Sequence, residues 1–295
     1  MLPLEAVPNF SEGRDTSTIH ALGDALRRHA RVLDLHVDAD HHRCVYTVVG
    51  DGDEIEHALA AAAEVAVERI DLTVQRGAHP RIGAMDVVPV VALDARQRED
   101  ANAVALRVAE RIAALDVPVF LYADSAGGRR PHDLRAGGPA GLQARIDAGD
   151  VRPDRGPARL HPTAGAAIVG SRPVLAAFNV NLRTRDVTVA RELARRVRAR
   201  DGGLPGVRAL GLDLPEQGIV QVSMNIEDPG RTPLYRVVEF LRAEARTFGV
   251  ELDRSELVGL LPASAVASAA SYALSLPELD ASRVIEAAVA AEASA

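Results

Sequence analysis

The sequence predicts an α+β fold in two similar halves, and three observations carry that prediction. Apolar periodicities run in the order βαββαβ from Leu4 to Leu93, the same order returns from Leu175 to Pro262, and a stretch rich in Gly, Pro and Arg separates the two. Identity between the halves is slight, so the duplication rests on element order alone. A chain of 295 residues suits two domains of ordinary size, here expected over 1–177 and 178–295.

In the first half, L-E-A-V-P-N-F from Leu4 reads as a short strand, and Ser17 to Ala30 as a helix with Ile19, Leu22 and Leu26 at helical spacing. R-V-L-D-L-H-V and R-C-V-Y-T-V-V-G are β-rich runs joined through D-A-D-H-H as a hairpin-like pair. Asp53 to Ile70 lines Ile55, Leu59, Ala62, Ala66 and Ile70 along one side of a second helix, and Asp86 to Leu93 is the closing strand. In the second half the strand Leu175 to Leu182 leads to a helix over Asp186 to Arg200. Then come the pair V-R-A-L-G-L-D-L and G-I-V-Q-V-S-M-N-I, a helix around Pro233 to Phe248, and the apolar run S-E-L-V-G-L-L-P.

A βαββαβ unit folds as a split βαβ sheet with both helices on one face. Val220, Val222, Met224 and Ile226 point one way and Gln221, Ser223 and Asn225 the other, as Phe178, Val180 and Leu182 alternate with Asn179 and Asn181. The polar face either lines a cleft between two facing sheets or meets water. From about Asp124 to Arg172 periodicity is weak, which predicts a long functional loop containing G-P-A-R-L-H-P-T-A-G.

Composition narrows the function classes. With no Trp, 3% aromatic residues and a formal charge of −7, neither base stacking nor a basic nucleic-acid face is expected. Cys44 is the only cysteine, so an intramolecular disulfide or a cysteine-based zinc site is excluded, and Cys44 reads as a small buried residue. The N-terminus lacks a basic region followed by a long apolar stretch, and nothing approaches the roughly 20 apolar residues of a membrane span. A cytoplasmic protein acting on small molecules, with no nucleic-acid or membrane partner, is the expectation.

The run R-G-A-H-P-R-I-G-A-M-D, Arg76 to Asp86, holds a histidine in a loop entering a strand. Histidine suits general acid/base work near neutral pH, Arg76 and Arg81 would supply positive charge, and Asp86 could orient the ring or accept a proton. On these residues alone, a structural histidine is the simpler reading. The cluster H-V-D-A-D-H-H, His36 to His42, offers metal-ligand types but reads better as a hairpin tip, so no metal is expected. No nucleophile elbow, P-loop or G-x-G-x-x-G occurs.

Four stretches together resemble one family: V-P-N-F-S-E-G from Val7, G-A-H-P-R-I-G-A-M-D from Gly77, G-P-A-R-L-H-P-T-A-G from Gly156, and F-N-V-N-L from Phe178. They are similar to the formiminotransferase domain of glutamate formimidoyltransferases, in order and over essentially the whole chain. The resemblance implies two ferredoxin-like subdomains whose sheets face each other across a ligand tunnel. It implies transfer of the formimidoyl group from N-formimidoyl-L-glutamate to N5 of tetrahydrofolate, a co-substrate, within histidine degradation. His79 maps to the family's catalytic acid/base. Folate binding maps to Gly156, Pro157, Ala158, Arg159, Leu160, His161, Pro162, Thr163, Ala164 and Gly165.

Carboxylates on both substrates call for arginine partners, for which Arg81, Arg43, Arg14 and Arg155 are candidates, with Asn9, Asn179 and Asn181 as polar ones. The family often forms dimers, so a homodimer is expected, with a separate cyclodeaminase acting downstream. His42 stands where the family usually has asparagine, Cys44 replaces a small residue, Gly138 stands where glutamate is common and Tyr235 where histidine is frequent. These departures keep two rivals open: a folate-dependent transferase with another donor, such as N-formylglutamate, and a folate-binding protein without catalysis. An intact G-A-H-P-R frame speaks against the latter.

Overall fold

A computed structural model describes residues 2–292, a mixed α+β chain with two sheets. It divides into two compact units, Leu2–Pro173 and a second from Val174 onward, so the break expected after residue 177 falls inside a strand. Among the described residues no helix is long and apolar enough to cross a membrane.

In the first unit the opening strand is two pieces, β1 (Leu4–Ala6) and β2 (Asn9–Phe10), because Pro8 has no N–H to give to a ladder. Both lie antiparallel between β4 (Arg43–Gly50) and β5 (Met85–Ala92), and β3 (Arg31–Asp38) pairs antiparallel with the far side of β4. Helix α1 (Thr16–Arg27) starts where the Asp15 side chain accepts the Ser17 N–H. Helix α2 (Gly52–Arg69) starts on a capping box, Asp51 and Glu54 each accepting the other's backbone N–H. Their apolar stripes bury Ile19, Leu22, Leu26, Ile55 and Leu59 against Phe10, Cys44, Tyr46, Val48, Val88 and Val90. Cys44 is thus a core residue, its thiol pushed up to about 12 by burial.

The segment expected to be a long loop is one only in part: residues 148–166, which hold G-P-A-R-L-H-P-T-A-G, contain no helix or strand, whereas most of the rest does. Helix α3 (Arg98–Ala113) and β6 (Val119–Leu121) precede it, α4 (Pro131–Arg135) and α5 (Gly138–Asp147) lie within it, and β7 (Ala167–Arg172) closes it. Its periodicity is faint because α4 spans five residues and α5 buries only Leu142 and Ile146. Strand β7 runs parallel to both β5 and β6, extending the sheet. There both faces are covered: Val119, Leu121 and Val169 join the core that contains α3, while Phe120 and Ile168 pack with Leu134, Leu142 and Ile146.

The second unit repeats the expected order: β8 (Ala176–Leu182), α6 (Val187–Val197), β9 (Val207–Leu214), β10 (Ile219–Ile226), α7 (Leu234–Arg246) and β11 (Leu252–Val258). All pairings are antiparallel in the order β11-β8-β10-β9, matched in the other unit by β5, the interrupted strand β1–β2, β4 and β3. Phe178, Val180, Val220, Val222, Met224 and Ile226 form the core with α6 and α7. The opposite face is not simply open to water: Asn179, Asn181 and Gln221 are buried, with Asn225 exposed. Helices α8 (Ala263–Leu274) and α9 (Ile285–Glu292) follow, and Tyr235 stacks on Tyr272 of α8 at 4.2 Å.

Candidate functional site

Alternation along β2 and β4 turns Asn9 and Arg43 away from the helices, since their neighbours Phe10 and Cys44 lie in the helix-side core. Strand β5 has a bulge there: Asn9 pairs with Val87 and Phe10 with Met85, leaving Asp86 as the extra residue. The bulge lets Asp86 leave the core in which Met85 and Val88 pack and reach Arg43. Arg43 is clamped by Asn9, whose Oδ1 accepts from Nε at 3.0 Å and from Nη2 at 2.8 Å. Its Nη1 donates to Asp86 Oδ2 at 3.0 Å and lies 3.1 Å from His79 Nδ1.

Two loops are zipped together to hold His79. Ala78 N donates to Asp40 O, and His42 Nδ1 lies 2.8 Å from Arg76 O. Arg81 donates to the carbonyl oxygens of His41, His42 and His79. Gly77 permits this closeness, because a Cβ there would sit 2.4 Å from His41 O and closer still to Arg81 Nη2. His42 has φ +50°, a left-handed conformation more usual for glycine or asparagine than for histidine.

Burial lowers the His79 pKa well below 6.5, and the positive charges of Arg43 and Arg135 push the same way. The ring is therefore neutral at pH 7. Nδ1 also lies 2.8 Å from Pro80 O, so an Nδ1–H donated there leaves Nε2 as the basic nitrogen, which has no hydrogen-bond partner among the described residues. A proton taken by Nε2 would create an imidazolium beside two guanidinium groups, an acid that readily returns it. Asp86 is completely buried and accepts from Arg43, from Arg135 Nη2 and from Ile82 N. Burial alone would push its carboxyl up, but Arg135 and Arg43 hold it below its ordinary value. Burial lowers Arg43 to about 10, with Asp86 opposing.

Beside this lies Glu12, which sequence reasoning missed. Its Oε1 accepts from the backbone N–H groups of Gly13, Arg14 and Asp15 and lies 3.0 Å from His42 Nε2, while Oε2 accepts from Gln75. Burial favours its neutral form, yet these contacts leave its pKa lowered. Arg135 was missed as well, and no local signal ties α4 to β5.

The other expected residues lie as follows. Asp86 makes no hydrogen bond to the His79 ring and acts on it through Arg43. Arg14 is exposed and donates to Ala39 O. Arg155 pairs with Glu110 of α3 and donates to Asp154 O, sharing no partner with His79. In the stretch from Gly156, Arg159 pairs with Asp116 and Leu160 N donates to Gln143. Its end is a turn between His161 and Gly165, and Ala164 and Ala166 hydrogen-bond to Ala84 and Ile82. Thus residues 163–166 lie alongside 82–84, directly after His79-Pro80-Arg81. In the second unit Asn179 and Gln221 donate to Glu256, and Gln221 also donates to Asn181. At the hairpin tip Asp38 accepts the His41 N–H, the turn role expected of it.

Comparison with known sequences agrees with this arrangement. Residues 3–172 match the formiminotransferase domain, N-terminal subdomain, and residues 177–290 match the formiminotransferase domain. The chain is 38% identical over 283 residues to a glutamate formimidoyltransferase of Streptococcus pyogenes serotype M1, covering 94% of this chain and 95% of that one. It is 38% identical over 291 residues to one from Thermoplasma acidophilum, 96% of each. The formimidoyltransferase-cyclodeaminase of Sus scrofa is 35% identical over 280 residues, 91% of this chain and 52% of that longer protein. These matches define a transferase of one-carbon groups. The chain belongs to the formiminotransferase family.

Proposed function

We propose that the protein transfers the formimidoyl group of N-formimidoyl-L-glutamate to N5 of tetrahydrofolate and releases L-glutamate, a step of histidine degradation. The observation that carries the reading is the neutral His79, its Nε2 unengaged, beside two guanidinium groups on one buried carboxylate. Tetrahydrofolate supplies the nucleophilic nitrogen. His79 takes the proton released by that nitrogen and returns it to the departing amino nitrogen, a role worth about 10²- to 10⁴-fold in rate.

The stretch Gly156 to Gly165 suits a folate-lining role, because its far end is hydrogen-bonded next to the His79 loop. Asn179, Asn181, Gln221 and Glu256 make a polar, hydrogen-bonded patch of alternate strand positions in the second unit, which suits a polar ligand. The shared strand order supports ferredoxin-like subdomains, and the reading includes a cytoplasmic homodimer and a separate cyclodeaminase.

A coupled spectroscopic assay with tetrahydrofolate and either N-formimidoyl-L-glutamate or N-formylglutamate, run beside His79→Ala, tests the proposal. Turnover of the formimidoyl donor that collapses in the variant is expected. Turnover of the formyl donor alone would replace the substrate, and unaltered rates in His79→Ala would remove the histidine.

A further inference from the structure

The buried cluster carries an unanswered positive charge. Asp86 serves two guanidinium groups, Arg43 and Arg135, whose side chains are only 10% and 15% exposed, and Arg81 adds a third cation. Of the other buried carboxylates here, Glu12 already has five donors or ring contacts of its own, Asp38 accepts from His41 N, and Asp40 is engaged as well. Burying a charge without a partner is costly, so such a cluster favours an arriving anion.

The two guanidinium groups differ in what they have left to give. Of five N–H groups, Arg43 commits three, to Asn9 twice and to Asp86, while Nη1 also lies against His79 Nδ1, whose own N–H goes to Pro80 O, so one N–H is left clear. Among the described residues Arg135 commits one, to Asp86, and its Nε is buried with no acceptor. It stands at the end of α4, held by packing of Leu134 with Leu142 and Ile146 of α5.

Covalent geometry then selects the ligand group. In an N-formimidoyl amino acid the α-carboxylate is attached to the carbon that bears the reacting nitrogen, within about 3 Å of it. The carboxylates of folate stand at the far end of an aminobenzoyl group from N5. A nitrogen protonated by His79 therefore brings the donor's α-carboxylate into reach of Arg135.

We propose that Arg135, with the remaining N–H of Arg43, binds the α-carboxylate of the amidine donor, and that Asp86 holds both guanidinium groups in place for it. The assignment rests on the transferase reading above. It makes Arg135 the residue that recognises the donor as an α-amino acid derivative, independently of its γ-carboxylate.

The test compares wild type with Arg135→Gln and Arg135→Lys, on N-formimidoyl-L-glutamate and on N-formimidoyl-4-aminobutyrate, which lacks only the α-carboxylate. Losing a charge-assisted, fork-shaped contact raises the KM of Arg135→Gln for formimidoylglutamate by about 10- to 100-fold. Its KM for tetrahydrofolate stays within about twofold of wild type, and it no longer prefers the intact donor. Arg135→Lys keeps a cation beside Asp86, which protects folding, and recovers part of the affinity. An unchanged donor KM, an effect confined to the folate KM, or a retained preference for the intact donor overturns the assignment.

Calorimetric titration with L-glutamate separates this from failure of the transferase reading. Binding to wild type that weakens in both variants keeps the subsite, even if wild type turns over no formimidoylglutamate and that reading falls. Equal binding by wild type and variants, or none by any of them, removes the subsite whether or not the enzyme turns over.

Discussion

Arg43 Nη1 lies 3.1 Å from His79 Nδ1 and 3.0 Å from Asp86 Oδ2, so a single guanidinium nitrogen stands between the imidazole and a buried carboxylate. Because burial and the cations around it lower the His79 pKa, the base form persists to pH values below 6.5. The profile of kcat/KM against pH should therefore fall on its acid side with a midpoint below 6.5, as His79 takes up a proton and loses its basic nitrogen. Arg43→Gln removes a positive charge from that environment and should move the midpoint upward, towards 6.5. A midpoint unchanged in Arg43→Gln would show that the limb belongs to another group.

Asp86→Asn addresses the same triad from the other side. It leaves Arg43 and Arg135 buried without their counter-charge, a loss of about 3–5 kcal/mol, read as a lower midpoint in urea unfolding at pH 7. The folded-state pKa of Asp86 is lowered, so its contribution is fully present above its ordinary 3.8. It is lost as pH falls through the lower folded value, so the gap between variant and wild type should narrow only at more acid pH.

Gly77→Ala should weaken catalysis more than stability. The added Cβ would meet His41 O at 2.4 Å and crowd Arg81 Nη2, so the loop of His79 must shift from that of His41 and His42. Overpacking of this type costs about 1–3 kcal/mol, whereas a displacement of about 1 Å in a catalytic group can cost 10²-fold in rate. A kcat drop of that order beside a small change in melting temperature is expected, and parallel losses of both would argue for general unfolding.

These variants also mark what sequence could and could not tell. Helices α1 and α2 were legible because Ile19, Leu22 and Leu26, and Ile55, Leu59 and Ala62, recur at helical spacing behind Asp caps. The signal for α3 was equally present in Ala101, Val104, Ala105, Val108 and Ile112. Helices α4 and α5 were not legible, since five residues and two buried side chains make no measurable period. His79 was legible through its motif, but its environment was not. Asp86 meets Arg135 across 49 residues, and the β5 bulge that frees Asp86 has no local sequence signature. Arg81 stands in the sequence as a candidate carboxylate partner, because a sequence cannot reveal that three backbone carbonyls claim its guanidinium.

Glu12→Gln tests whether the loop network supports the site. The carboxylate collects three backbone N–H groups and approaches His42 Nε2 through one oxygen, and accepts from Gln75 Nε2 through the other. A glutamine can keep its carbonyl oxygen on the backbone donors and, with the Gln75 amide turned over, give its NH₂ to Gln75 Oε1, which has no partner among the described residues, so the change removes the charge alone. Replacing charge-assisted hydrogen bonds by neutral ones at this buried site costs about 1–3 kcal/mol in unfolding free energy. Because the pKa of Glu12 is lowered, the deficit should be full above its ordinary 4.5 and shrink as pH falls through the lower folded value. Arg43 follows His42 directly in the chain, so loosening His42 should also reach His79 and reduce kcat/KM by more than the fraction unfolded accounts for. A stability loss with kcat/KM intact would assign Glu12 to folding alone and detach the His42 loop from the positioning of Arg43.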